Sequence, residues 1–336
     1  MVRASLATGV REEGARAEGR PRAMGGKTAF VFPGQGSQYV GMGRALAEGF
    51  RAADVLLTEG SQVLGVDLKR LCFEGPEQVL GLTVNTQPAV LTVGAMACAV
   101  LEEHGVTPDF VAGHSLGEYA ALVAARSLTY PDALRAVRRR GELMQEAVAV
   151  GAGAMAAVIG LSREAVEDIC REAAQGEVVQ VANLNAPIQT VVAGHAVGVE
   201  RAAALARARG AKRVQMLAVS APFHTSLMRP IAEEFARVLG RLDIRDPQVP
   251  LVAGRDAELK RSASEVVQCL IEQLDHPVRW VDVIRRLARE GVEVFIEVGP
   301  GKVLSGLVKR IDEGVRVYHV EDRQSLEETL TATARA

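Results

Sequence analysis

Aromatic side chains make up only 4% of the 336 residues, so any core this chain forms must be built from Ala, Val, Leu and Ile. Cysteine is scarce too. Cys72, Cys98, Cys170 and Cys269 lie far apart with no C-x-x-C pair, which excludes a zinc cluster of the usual spacing. Such thiols read as small buried hydrophobes, kept reduced in a cytosolic compartment. Neither sign of charge dominates: 39 Lys and Arg stand against 41 Asp and Glu, a net of -2. No global field therefore draws nucleic acid or an anionic membrane. The longest uncharged apolar runs, 88–101 and 147–161, fall short of the roughly 20 residues a bilayer span needs. At 48% hydrophobic and 24% charged, the composition is that of an ordinary globular chain.

The first 26 residues differ from the rest. They carry Arg3, Arg11, Arg16, Arg20 and Arg22 without an apolar stretch, unlike a secretory signal, and Glu12, Glu13 and Glu18 argue against a transit peptide. They are expected to be a disordered tail or extra extension. From Lys27 the pattern becomes regular. Residues 28–32 form a buried strand closed by Pro33-Gly34, 43–58 have helical spacing, and 87–104 form a small-residue helix. A strand at 109–112 leads to helices at 118–126 and 132–149. This order predicts an α/β domain with a parallel sheet.

Between 151 and 220 the texture changes to strand 154–161, helix 162–174, a hairpin-like pair 178–183 and 190–193, helix 197–209 and strand 213–217. That β-α-β-β-α-β order predicts a ferredoxin-like subdomain inserted into the larger one, which occupies 27–150 and 221–325. The larger part resumes with a helix to Arg241, a strand near 249–253, a helix at 264–274 and a strand at 294–298.

The sharpest chemical feature is Gly113-His114-Ser115-Leu116-Gly117, a G-x-S-x-G pattern between a strand and a helix. There a serine occupies a strained turn that projects its hydroxyl from the sheet, and the Leu116 amide is a natural oxyanion donor. Among the histidines, His114 adjoins the serine and should point away from it. His224, in Ser220-Ala221-Pro222-Phe223-His224 where the insert rejoins the main domain, is the candidate base. No acid partner is singled out; Asp246, Asp256, Asp275 and Asp282 are all available. The loop 33–38 (PGQGSQ) lets backbone approach a ligand and can supply a second oxyanion donor. It is neither a P-loop nor a dinucleotide fingerprint.

Eight segments in register now carry a resemblance: FVFPGQGSQYVGMG (30–43), TQPAV (86–90), GHSLGEYAAL (113–122), RGELMQEA (140–147), NLNAPIQTVVAG (183–194), SAPFH (220–224), QLDHPVRW (273–280) and EVGPGKVLSGLVKR (297–310). From about Lys27 to Ile311 the chain resembles the malonyl-CoA:acyl-carrier-protein transacylases. The resemblance implies an α/β-hydrolase-like large domain with a ferredoxin-like insert. It implies Ser115 as acylated nucleophile, His224 as general base, and Gln35 and Leu116 as backbone donors of the oxyanion hole. It implies that Arg140 grips the malonyl carboxylate, as a planar guanidinium can through two parallel hydrogen bonds. Gln273 would orient the histidine through its main-chain carbonyl, and Asn185 would roof the cleft.

The implied reaction is ping-pong transfer of malonyl from malonyl-CoA to the phosphopantetheine thiol of an acidic, transiently bound holo acyl carrier protein, feeding fatty acid synthesis. No cofactor or metal is called for. A cytoplasmic monomer with no nucleic-acid or membrane partner is expected. Arg285, Arg286, Arg289, Lys309 and Arg310 are candidates for the carrier dock. Alternatives are a free-standing polyketide-synthase acyltransferase and a G-x-S-x-G serine esterase or thioesterase, the last predicting a triad acid and no need for Arg140. The chain departs from the family where Ala253-Gly254-Arg255 replaces an Asn pair, and in its N-terminal tail.

Overall fold

Residues 28–32 are buried without a break, so β1 (Lys27–Phe32) is covered on both faces, the condition under which strands pair in parallel. The computed structural model describes residues 26–149, 151–219 and 221–334; of the expected tail, residues 1–26, all but Gly26 lie outside them. The other strands are β2 (Phe110–Gly113), β3 (Gly153–Ile159), β4 (Val179–Ala186), β5 (Gln189–His195), β6 (Arg213–Met216), β7 (Leu251–Val252), β8 (Leu259–Lys260), β9 (Val292–Val298) and β10 (Arg316–Val320). One sheet has the order β10-β9-β1-β2-β7-β8 and is parallel except at the β7–β8 edge. The chain is thus mixed α/β with a largely parallel sheet.

The second sheet, β4-β5-β3-β6, is antiparallel throughout. Helices Arg163–Ala174 and Ala196–Ala208 connect its strands in the expected order and pack on it through Val166, Ile169, Val199 and Ala202. Ser162 caps the first of them by accepting the Ala165 N–H, as its position before the apolar run suggests. This sheet is tied to the rest of the chain by backbone pairing. The Leu184 N–H donates to the Val278 carbonyl at 2.8 Å, and the Val278 N–H to that of Ala182 at 2.9 Å.

Three expectations are corrected. The helical spacing over 43–58 resolves into Arg44–Gly49 and Arg51–Leu64, because Gly49 is a poor helix former and Phe50 turns to extended backbone. The strand near 249–253 is confined to Leu251–Val252. The small-residue helix starts a turn early, spanning Thr83–Glu103 with Pro88 inside it. Proline cannot donate to the carbonyl four residues back, and that carbonyl, on Val84, accepts from Arg138 Nη1 at 3.3 Å instead. This 21-residue helix is long and apolar enough to cross a bilayer, yet 83% of its apolar window is buried inside the protein. The helix Tyr130–Glu146 approaches its start closely because Gly141 faces it: a Cβ on Gly141 would come within 2.9 Å of the Val84 Cα. All four cysteines are buried and free.

Candidate active site

The turn from β2 into helix Gly117–Ala124 is shaped by what its glycines touch. A Cβ on Gly113 would sit 2.0 Å from the Glu118 nitrogen, and one on Gly117 would sit 2.0 Å from the Phe32 carbonyl oxygen. Only hydrogen fits at either place, so the helix start is clamped against the ends of β1 and β2. Between them Ser115 is held at φ 55, a left-handed conformation that costs a non-glycine residue about 1–3 kcal/mol. Gly34 abuts the same turn, for a Cβ there would lie 2.4 Å from the His114 carbonyl oxygen. The Gln35 loop and the serine turn therefore stand back to back.

His224 is also held in the left-handed region, at φ 61. Its Nε2 lies 2.8 Å from Ser115 Oγ, and its Nδ1 lies 2.8 Å from the main-chain oxygen of Gln273. A carbonyl can only accept, so the proton is fixed on Nδ1 and the Nε2 lone pair faces the serine. Burial, reinforced by the neighbouring Arg140 cation, pushes the imidazole pKa down to about 3, so it is neutral around pH 7. None of Asp246, Asp256, Asp275 and Asp282 bonds it. Asp246 accepts the Ala263 N–H, and the other three pair with Lys260, Arg229 and Arg279 respectively.

Arg140 comes to the same place from helix Tyr130–Glu146 and is only 1% exposed. Its Nη2 donates to Ser115 Oγ at 3.0 Å and to Gln273 Oε1 at 2.8 Å, and its Nη1 donates to Gln87 Oε1 at 3.0 Å. The Tyr119 ring lies 5.7 Å from the guanidinium. Arg138 and Arg139, its neighbours in sequence, instead pair with Glu142 and, for Arg139, also Glu234. The run of three arginines is thus a solvated face with one member turned inward.

Neither the Leu116 nor the Gln35 amide donates to an acceptor among the described residues. The Gln35 side chain is tied to Thr83 Oγ1 at 3.2 Å. Asn185 makes no hydrogen bond to Ser115 among the described residues. Its Oδ1 meets His114 Nε2 at 2.8 Å, and both line a cavity of about 150 Å³ with Gln35, Asn183 and Leu217. His114 thus points away from the serine hydroxyl as expected, and packs on Trp280 with ring centroids 5.5 Å apart. A larger cavity, about 690 Å³, is also lined by Gln35, together with Leu82, Thr83 and 217–219.

Sequence reasoning gave no role to Gln87 or Glu118. Gln87 is 1% exposed and accepts from Arg140. Glu118 is wholly buried and accepts the Gly254 N–H, where a Cβ would come within 3.0 Å of the carboxylate. The departure at Ala253-Gly254 is therefore a packing contact with Glu118. Both lie inside segments that carry the family resemblance, TQPAV and GHSLGEYAAL, but nothing local in those segments marks either side chain as a partner of Arg140 or Gly254. Among the described residues no cluster of three or more His, Cys, Asp or Glu side chains is placed to hold a metal ion.

Residues 29–325 match the family described as the acyl transferase domain. The chain is 48% identical to the malonyl CoA-acyl carrier protein transacylase of Bacillus subtilis over 302 residues, covering 90% of this chain and 95% of the relative. The chain belongs to that transacylase family. It is 46% identical to the Escherichia coli K12 member over 284 residues, covering 84% and 92% of the two chains. The solved transacylase of Coxiella burnetii superposes with a TM-score of 0.90 at 41% identity, covering 93% and 99%. A malonyl-transacylase solved in complex with a type II PKS acyl-carrier protein gives 0.89 at 44% identity, covering 91% and 99%. Membership in this transacylase family makes the chain an acyltransferase.

Proposed function

We propose that this chain transfers the malonyl group from malonyl-CoA to the phosphopantetheine thiol of holo acyl carrier protein, in support of fatty acid synthesis. The observation that carries it is the convergence on one serine oxygen of a neutral imidazole at 2.8 Å and a buried guanidinium at 3.0 Å. An esterase has no use for the second. Ser115 Oγ attacks the thioester carbonyl while His224 Nε2 takes its proton. The oxyanion accepts from the Gln35 and Leu116 amides, each worth about 3–4 kcal/mol in this kind of site. Coenzyme A leaves as its sulfur receives the proton from His224. The carrier thiol then gives a proton to His224, attacks the seryl ester and displaces Ser115 Oγ, which takes the proton back.

Throughout, Arg140 holds the malonyl carboxylate by exchanging its bond to Ser115 Oγ for one to substrate, while Gln273 fixes the imidazole. Asn185 and His114 wall the adjoining cavity. We read 27–150 and 221–325 as an α/β-hydrolase-like catalytic part and 151–220 as a ferredoxin-like insert. We take the protein to work as a cytoplasmic monomer, apart from nucleic acid and membrane, consistent with its near-zero net charge. An acidic carrier would dock on exposed Arg285, Arg289 and Lys309. Arg286 is engaged by Glu258 and Glu290, and Arg310 by Gln189. Transfer that does not slow as salt rises would exclude that dock.

The test is transfer of radiolabelled malonyl from CoA to purified carrier proteins of fatty acid and polyketide type, with free malonate counted in parallel. Label reaching the fatty acid carrier faster than it appears as malonate is the expected result. Preference for the polyketide carrier would move the pathway, and release of malonate alone would make the protein a hydrolase.

A further inference from the structure

Helix Gly117–Ala124 places a carboxyl group of no assigned use beside the acyl site. Glu118 is 0% exposed and Arg140 is 1% exposed, and the two interact electrostatically. Gln273 links them, since its carboxamide accepts from Arg140 Nη2 at 2.8 Å and also faces Glu118. One Glu118 oxygen accepts the Gly254 N–H, while Oε2 has no hydrogen-bond partner among the described residues, nor does Arg140 Nε. The remaining ionisable groups facing Glu118 are Asp256, Cys269 and Tyr119. Asp256 pairs with Lys260 at 2.7 Å; burial holds the Cys269 thiol at about 12 and raises the Tyr119 phenol, so both stay neutral.

A cation in so dry a place needs a counter-charge, and Glu118 is a buried carboxylate joined to it through Gln273. A malonyl carboxylate arriving at Arg140 makes two negative charges for one positive. We propose that Glu118 is a positioning residue that balances Arg140 while the acyl site is empty and takes up a proton when the malonyl carboxylate docks. The inference rests on Arg140 being the malonyl ligand. Burial already raises the Glu118 pKa to about 7 in the empty site, so one further negative charge close by is enough to neutralise it.

The sign follows. The protonated form binds malonyl better, so affinity is level below pH 7 and falls as pH rises through it, by at most about tenfold per pH unit. Acetyl-CoA carries the same coenzyme phosphates but no acyl carboxylate, so it gives no such fall.

The test is calorimetric titration of the Ser115→Ala protein with malonyl-CoA and with acetyl-CoA at pH 7, in buffers of different ionisation enthalpy. Malonyl-CoA should take up about half a proton more than acetyl-CoA, as expected for a group half protonated beforehand. Adding Glu118→Gln should abolish the difference and flatten the fall in malonyl affinity above pH 7. Equal proton counts for the two thioesters in a protein that prefers malonyl, or a difference that survives Glu118→Gln, would overturn the proposal. Should Glu118→Gln fail to fold, the malonyl-minus-acetyl count and its midpoint near pH 7 decide. Malonyl-CoA binding no better than acetyl-CoA would instead sink the role of Arg140.

Discussion

Replacing Arg140 with alanine separates substrate choice from chemistry. The guanidinium is 1% exposed, so a malonyl carboxylate bound to it is out of water and little screened by salt. Truncating one partner of a buried, hydrogen-bonded charge pair costs about 2–5 kcal/mol. At 1.36 kcal/mol per factor of ten, that is a loss of about 30- to 5,000-fold in kcat/KM for malonyl-CoA. Acetyl-CoA has no carboxylate to lose, so its kcat/KM should move only a few-fold. Arg140→Lys keeps the charge but not the planar fork that reaches Gln87, Gln273 and Ser115, and should fall between native and alanine. Arg140→Ala strands buried carboxamide oxygens on Gln87 and Gln273, at about 1–3 kcal/mol each, so thermal melts must accompany the kinetics. The assay is kcat/KM for the two thioesters side by side. A malonyl-to-acetyl ratio unchanged by Arg140→Ala, in folded protein, would refute the reasoning.

Three further outcomes follow. Because the His224 imidazole is neutral down to about pH 3, its protonation should produce no acid limb in kcat/KM between about pH 5 and 8; a limb near 6.5 abolished with His224 would contradict its burial beside Arg140. Gly117→Ala drives a Cβ to 2.0 Å from the Phe32 carbonyl oxygen, and should cost about 3 kcal/mol or more, read as loss of soluble folded protein or a sharply lowered Tm. Gln87→Ala removes the acceptor for Arg140 Nη1 and should raise KM for malonyl-CoA with less effect on kcat, the loss in kcat/KM being about 1.5–3 kcal/mol; equal losses for acetyl-CoA would count against a role through Arg140.

The parts of this site that could be read from sequence were those with a local signature. Ser115 lies in a motif whose glycines meet backbone at 2.0 Å, so local sterics alone specify the turn. The parallel sheet likewise announced itself through continuous apolar runs such as 28–32. Contacts made across the fold were harder to see. Nothing near His224 in sequence marks the Gln273 carbonyl as its partner, 49 residues on, and any residue type can supply a carbonyl. Arg140 looked like one of three solvated arginines; helix rotation turned it inward, and only the family resemblance singled it out. Glu118 gained meaning only once Arg140 and Gly254 were placed around it. The Pro88-bearing start of helix Thr83–Glu103 was missed because the compensating Arg138 bond to Val84 comes from 54 residues downstream.

The most direct measurement is intact-mass and peptide analysis after brief mixing of the protein with malonyl-CoA. One malonyl group should be found as an ester on Ser115, removed by the thiol of added holo carrier protein, and absent from Ser115→Ala. An adduct that persists in Ser115→Ala, or that maps to another side chain, would contradict the account.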